Sequence, residues 1–519
     1  MMAAEGKGWA AAWDAYRQPQ VLTLFFLGFS AGLPLLLIFS TLSLWLRDAE
    51  VDRSTVTYFS WAALGYSFKF IWAPIVDRLP LPFLTALLGR RRSWLLLAQL
   101  LIISAILWMA FTDPSKHLTL MAFAAVLLGF AGATQDIVID AYRIESAERE
   151  LQAMMASMYI AGYRVGMLVA GAGALNLAVW FGAEEGVYDY IAWQWTYISM
   201  AAVMLVGVIT TLTITEPVTP DKPASSLSST GDYLRFLLLF FVVVSFFVMS
   251  FFSVRGWVTP IASGFTDYLL VDLRLAGFMA EMLRLFFAVV MAFFWGRLLV
   301  RVGLVRSVVL RETYLDPVAD FFHRYGRAAI LVLLLVGLYR ISDIVLGVIS
   351  NVFYQDMGFS KDQIANITKV YGLIMTVMGG FLGGLLALRY GVMRILFLGA
   401  LLSAGTNLLF LLLAQSGADV PLLIMVIAAD NLSAGLAGAA FVAYLSGLTH
   451  IAFTAFQYAL FSSLMTLLPK LLGGYSGSIV DAVGYEQFFL FTALLGLPVL
   501  VLIYLADRYV EHGSLTDDG

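Results

Sequence analysis

The sequence predicts an all-α integral membrane protein of about fourteen transmembrane helices: two six-helix halves with two further helices inserted between them. Three observations carry this. Of 519 residues, 61% are hydrophobic and 13% charged, and the mean hydropathy is +0.88. Soluble domains carry about 25% charged residues, so this chain has too little charge to coat a water-soluble globule. The apolar residues also fall into runs of the roughly 20 residues that a helix needs to cross a bilayer.

The candidate spans, in order, are 21–46, 55–75, 94–112, 118–141, 152–180 and 192–214, then 234–254 and 280–304. The second set is 327–353, 364–388, 392–414, 420–445, 450–475 and 485–506. Lys and Arg gather in loops of one parity: Arg78, Arg90, Arg91 and Arg92 after the second span, Arg301, Arg306, Arg311, Arg324 and Arg327 after the eighth, and Arg389 and Arg394 after the tenth. Loops of the other parity are acidic or neutral, with Glu184, Glu185 and Asp189 after the fifth span and Asp419 after the eleventh. Positive loops stay in the cytoplasm, which puts both termini there. Trp180, Trp193, Trp195 and Tyr354 at span ends fit interfacial anchoring.

These runs divide the chain into a cytoplasmic leader (1–20), an N-terminal half (21–216), a linker (217–233), two inserted helices (234–304), a cytoplasmic amphipathic connector (305–326), a C-terminal half (327–507) and a tail (508–519). The leader lacks the basic-then-apolar layout of a cleaved signal. The Ser-rich stretch Asp221–Thr230 reads as linker. In the connector, Tyr314, Val318, Phe321 and Phe322 recur at helical spacing, as in a helix lying on a membrane surface. A faint repeat relates the halves: Leu46–Val56 (LRDAEVDRSTV) aligns with Tyr354–Ile364 (YQDMGFSKDQI), matching Asp48 to Asp356 and Arg53 to Lys361. Parallel repeats of six spans are common in secondary transporters, although short polar loops also resemble one another by chance.

Composition removes several functions. A net charge of -4 gives no electrostatic case for a nucleic-acid partner. With 0 Cys and 4 scattered His there is no disulfide, no thiolate chemistry and no metal spacing. No phosphate loop, HExxH or GxSxG motif occurs, so no cofactor is expected and the drive would be an ion gradient, protons first.

Ionisable groups inside spans are costly and mark function by default. In the fourth span, GATQDIVIDAYRIE, Asp136, Asp140 and Arg143 share one helical face. A carboxylate pair beside an arginine can take up or release a proton as access changes; for Asp140 and Arg143 a solvated helix end is the plain alternative. Lys69 lies in the second span among aromatics, to bind a substrate anion, to pair with an acid, or to snorkel. Arg164, near mid-depth of the fifth span, suits a carboxylate or serves as structural partner to Asp136 or Asp140. Arg340 and Asp343, three apart, can neutralise one another. Asp430 lies near mid-depth with no adjacent cation. Asn351, Asn407, Asn431 and Gln457 either line a wet cavity or join helices. Trp61, Tyr66, Phe68, Tyr142 and Tyr163 either stack on sugar rings or fill the core. The glycine runs at 162–173 and 379–384 permit close helix contact.

Certain segments resemble a known family. Ala73–Arg78 (APIVDR) followed by Gly89, Arg90, Arg91 and Arg92 resembles the loop signature of the major facilitator superfamily, with Ala73 in place of the leading glycine and LPLPFLTALL inserted between the parts. More narrowly, YSFKFIWAPIVDRLPLPFLTALLGRRRSWLL, LLGFAGATQDIVIDAYRIE and AGLPLLLIFSTLSLWL resemble the AmpG muropeptide permease family. The likeness is strongest over 22–170 and weaker in the second half. The resemblance implies a multi-pass inner-membrane importer of a Gram-negative cell. Its substrates would be N-acetylglucosaminyl-1,6-anhydro-N-acetylmuramyl peptides for cell-wall recycling, driven by the proton motive force. In some species such permeases feed β-lactamase induction. It also implies a gating role for Asp77, Arg78 and the Gly89–Arg92 cluster, and carries family motifs onto Gly28, Ala133, Gln135 and Asp136.

The sequence reading is therefore a monomeric symporter working by alternating access. Asp136 leads as proton carrier, with Asp140, Asp343 and Asp430 as further candidates. Lys69, Arg164 and Arg340 would attract carboxylates, and Gln135 and Tyr142 would meet sugar. A facilitator for another solute is the rival within transport; the fifth span lacks the proline-containing glycine motif of drug antiporters. A membrane enzyme would need a catalytic constellation at one interface, and only isolated charges lie at depth.

Overall fold

A computed structural model describes residues 13–52, 55–56, 59, 62, 65–183, 188–218, 230–269, 273–360, 363–473 and 476–513. Trp61, Arg53 and Lys361 of the repeat, Glu184 and Glu185, and most of the expected linker lie outside them. Among the described residues, twelve helical stretches are long and apolar enough to cross a membrane, and Ile451–Leu467 is a shorter apolar helix. That shorter helix is the core of the expected thirteenth span. The expected second span is described only in part, as Gly65–Phe68, Lys69–Ile71 and Ala73–Arg78.

In the first half, α1 (Pro19–Ile38) starts on a proline whose fixed φ suits the first turn. It is followed by α2 (Ala73–Arg78), α3 (Arg90–Ala110), α4 (Leu118–Ser146), α5 (Gln152–Leu168) and α6 (Tyr190–Val203). The Asp189 side chain accepts hydrogen bonds from the first amides of α6. Gly89 takes φ +84 before α3, and a Cβ there would meet the Glu216 side chain at 2.4 Å. Glu216 uses that space to accept hydrogen bonds from the amides of Arg91 and Arg92. It thereby caps α3 with a negative charge where the helix dipole favours one.

Residues 221–319 form a separate compact unit. It holds α7 (Thr230–Ser253), α8 (Val258–Leu269) and α9 (Leu273–Arg301). The second half contains α10 (Asp316–Tyr325), α11 (Ala328–Leu338), α12 (Ile341–Asp356), α13 (Gly372–Tyr390), α14 (Val392–Ser416), α15 (Val420–Leu448), α16 (Thr454–Gly473), α17 (Ser476–Leu494) and α18 (Gly496–Gly513). A π-helical turn, Ile364–Tyr371, leads into α13. In α10, Phe321 is buried against Phe461 while Phe322 stays exposed, an amphipathic division.

Each half has its own apolar core, one around Trp45, Tyr197 and Leu128 and the other around Phe353, Phe410 and Phe441. Without a hydrophobic drive between helices in lipid, close backbone approach does the packing. Gly162 of α5 sits so near α1 that a Cβ would lie 1.9 Å from the Phe25 carbonyl oxygen, and Gly435 of α15 stands likewise 2.1 Å from that of Thr376. The two halves meet where α5 packs on α13 and α15, and where α16 packs on α2 and α4. The repeat aspartates make equivalent bonds: Trp193 Nε1 donates to Asp48 at 3.1 Å, and the Tyr485 hydroxyl donates to Asp356.

Gly162→Leu is expected to destabilise the protein by roughly 1–3 kcal/mol, because the added side chain must push α1 and α5 apart. A thermal melt of the purified variant in detergent reads this, and a melt matching the parent would remove the glycine contact as a stabilising feature.

Candidate functional site

The polar face of α4 is buried throughout: every residue from Ala131 to Arg143 is shielded. Asp140 pairs with Lys69 Nζ at 3.6 Å and with Arg143 Nη2 at 3.4 Å. Lys69 is buried beside its acid and does not snorkel. Arg143 also donates to Gln152 at 3.0 Å and to Ser446 of the other half at 2.7 Å, and lies over the Tyr458 ring. Asp140 and Arg143 are thus embedded partners, not a solvated helix end. Asp136, one turn deeper, accepts from the Tyr159 hydroxyl at 3.3 Å. Next to it, Gln135 is fully buried with neither amide atom hydrogen-bonded among the described residues. The Tyr66 hydroxyl, likewise without a partner among them, sits against Gly132. A buried amide left unsatisfied is costly, so this spot suits a ligand that carries its own donors and acceptors.

Arg164 does not pair with Asp136 or Asp140, whose basic neighbours are Lys69 and Arg143. Instead it is solvent-exposed and near enough to Arg340 of the opposite half for the two to repel. Arg340 is in turn paired with Asp343 at 3.6 Å, as their spacing suggested. Asp343 also accepts from the Ser403 hydroxyl, and Asp430 from that of Thr406 at 3.4 Å. Lys369, in the π-helical turn, escaped the sequence reading. It is exposed, and its only described partner is the neutral amide of Asn351 at 3.1 Å. The signal was present, since Lys369 stands inside the expected span 364–388. Asn351 lies eleven residues after Arg340, three turns along one face and about 16 Å away by helical rise.

Other expected contacts are packing contacts. Asn407 bonds Ser342, Asn431 bonds Thr376, and Gln457 bonds Asp320, each between elements. Tyr142 is buried and donates to the Thr215 carbonyl. Gly28 lies in the α1–α5 crossing against the Tyr159 carbonyl, and Ala133 is fully buried.

The loop motif builds a clamp. The guanidinium of Arg91, 1% exposed at its side chain, bonds Asp77 at 2.7 Å and Glu145 at 2.6 and 2.8 Å. Arg90 approaches Glu145 at 3.8 Å and donates to the Asp77 carbonyl, and Arg78 is half-buried at the end of α2. The same acids then reach the other half: Asp77 accepts from the Phe456 amide at 3.0 Å and Glu145 from the Thr454 hydroxyl at 2.9 Å. Tyr16 makes a further bond between the halves, donating to the Phe381 carbonyl at 2.7 Å. Burial pushes its hydroxyl up to about 12, so it stays a donor at neutral pH. Glu145 and Glu216 were not singled out in the sequence, because their partners lie 54 and 125 positions away.

Two helical halves that clamp together at one end, with Arg164 of one near Arg340 of the other, have the architecture of a polytopic transporter. The description Major Facilitator Superfamily matches residues 24–313 and 331–518. The chain is 30% identical over 494 residues to the Rickettsia conorii protein AmpG 4, covering 95% of this chain and 98% of that one. It is 28% identical over 504 residues to the anhydromuropeptide permease of Escherichia coli K12, covering 97% and 83%. The proton:xylose symporter XylE shares the fold at a TM-score of 0.58 and 12% identity, with 95% and 96% covered. FucP in the outward conformation does so at 0.58 and 12%, with 95% and 99% covered. The chain therefore belongs to the AmpG family of the Major Facilitator Superfamily, and is a multi-pass membrane transporter.

With 0 native cysteines, a single introduced thiol reports access cleanly. Glu145→Gln weakens the clamp, and is expected to speed labelling of Ala153→Cys, a site 1% exposed in the parent, by about tenfold, or 1.4 kcal/mol. An unchanged labelling rate would show that Glu145 does not hold this end shut.

Proposed function

We propose that the protein imports anhydromuropeptides, N-acetylglucosaminyl-1,6-anhydro-N-acetylmuramyl peptides, from periplasm to cytoplasm by proton symport. It works as a monomer in the inner membrane with both termini cytoplasmic. The observation that carries this reading is a set of under-compensated basic side chains, two of which, Arg164 and Arg340, approach one another from the two halves. Arg164 has no carboxylate partner among the described residues, Lys369 rests on a neutral amide, and Arg340 shares a single aspartate. A solute with several carboxylates on a peptide supplies what these cations lack, and Arg holds a carboxylate bidentately. The relative named anhydromuropeptide permease supports the same substrate.

On this reading the clamp of Arg91, Asp77 and Glu145 closes the cytoplasmic end, since it belongs to the arginine-rich loop. The glycan would dock over α4, where Gln135 offers an unpaired amide to sugar acetamido and hydroxyl groups. Asp136 would carry the proton, gaining and losing it as the adjoining Tyr159 bond and solute occupancy change. Asp140 is already committed to Lys69 and Arg143, and Asp343 to Arg340, which ranks both behind Asp136.

Uptake of labelled anhydromuropeptide into proteoliposomes, with and without an inward proton gradient, tests the reading. Accumulation that ignores the gradient removes proton coupling; transport of free sugar with no muropeptide uptake removes the substrate. Asp136→Asn is expected to abolish accumulation while leaving equilibrium exchange, and full accumulation would move the proton to Asp430. Arg164→Gln is expected to raise KM for the peptide-bearing substrate by about tenfold, the loss of roughly 1.4 kcal/mol of binding, with little change for the peptide-free disaccharide.

A further inference from the structure

The compact unit of residues 221–319 contains a cavity of ≈ 170 Å³ walled by Val254, Trp257, Val258, Ile261, Ala280 and Leu283, with Arg284 and Phe287 completing it. All but one of these side chains are apolar. The exception, Arg284, is 5% exposed. Its Nε donates to the Phe251 carbonyl at 2.7 Å, its Nη1 meets Glu281 at 3.1 Å, and its guanidinium lies 3.8 Å over the Phe251 ring. Its Nη2 has no hydrogen-bond partner among the described residues. Arg presents five fixed N–H donors and cannot shed its charge, so a buried Nη2 facing hydrocarbon lacks an acceptor.

Depth identifies that acceptor. Arg284 precedes Arg301 by 17 residues of one helix, about 25 Å at 1.5 Å per residue. The hydrocarbon layer is about 30 Å thick. If Arg301 marks one interface, Arg284 stands just inside the other. Trp257, 60% exposed in the adjoining turn, fits an interfacial position. Glu281 lies one turn beyond Arg284, about 4.5 Å farther from Arg301, and its side chain is 44% exposed.

A buried cation with a spare donor, an acid one turn farther out and an apolar wall form a dipolar site. We propose that this unit binds a phospholipid with a primary-ammonium headgroup, of the phosphatidylethanolamine class, in the leaflet opposite Arg301. The phosphate accepts from Arg284 Nη2, the ammonium meets the exposed side of the Glu281 carboxylate, whose two oxygens also accept from Arg284 Nη1, and an acyl chain lies along Val258, Ile261, Leu283 and Phe287. Phosphate below ammonium is the order in which such a headgroup presents its charges.

Native mass spectrometry of the full chain in detergent, with added phosphatidylethanolamine, phosphatidylglycerol or diacylglycerol of the same acyl chains, tests this. The parent is expected to retain phosphatidylethanolamine about threefold over phosphatidylglycerol and about tenfold over diacylglycerol. Chain-free glycerophosphoethanolamine at equal concentration is expected not to displace it. Arg284→Gln is expected to bring retention down to the diacylglycerol level. Should that variant not fold, Glu281→Gln, which keeps the buried guanidinium, is expected to erase the preference over phosphatidylglycerol. Equal retention of the three lipids by the parent, displacement by the chain-free headgroup, or an undiminished preference in Glu281→Gln would each overturn the proposal.

Discussion

Everything at the junction of α2, α4 and α16 hangs on one guanidinium. Arg91 is almost wholly shielded and shared between two carboxylates that come from different elements, Asp77 of α2 and Glu145 at the end of α4. Removing one member of a buried ion pair costs about 3–5 kcal/mol, because the remaining charge is left without compensation. Neither acid is saturated by Arg91. Each keeps a lone pair for the other half of the molecule, one for the Phe456 amide and one for the Thr454 hydroxyl. The bond between the halves is thus a by-product of satisfying charges within one half.

The rest of the packing supports that arrangement without adding charge. Glycines bring α1 to α5 and α13 to α15 at backbone contact within each half. Glu216 fixes the start of α3, and so the position of Arg91 itself. Toward the other end the polar groups change character. Arg164 and Lys369 are exposed, and their charges are under-compensated among the described residues where those at the clamp are over-determined. Charge that is paired holds structure, and charge left short of a partner is available to a solute.

Much of this was legible in the chain. The runs of about 20 apolar residues gave the helices, and the parity of arginine-bearing loops gave an order to them. The α4 acids stood out because ionisable groups in a span are rare. Their pairings did not, since Asp140 was as compatible with Arg164 as with Lys69, and only the fold decides between residues scores of positions apart. Glu145 and Glu216 look like ordinary helix-end acids in the sequence. Gln135 was visible as a polar residue, but its unsatisfied amide is a property of what surrounds it. Lys369 was overlooked because its neighbours Thr368 and Asn366 make the start of its span resemble a loop.

Sharing one cation among several acceptors also sets what it takes to part the two halves. Each of a row of independent bonds could be given up singly. Here, freeing Thr454 or Phe456 leaves a carboxylate oxygen unmet in a dry setting, and a buried acceptor without a donor is costly. Parting the halves at this point therefore carries that cost until water or another donor reaches Asp77 and Glu145.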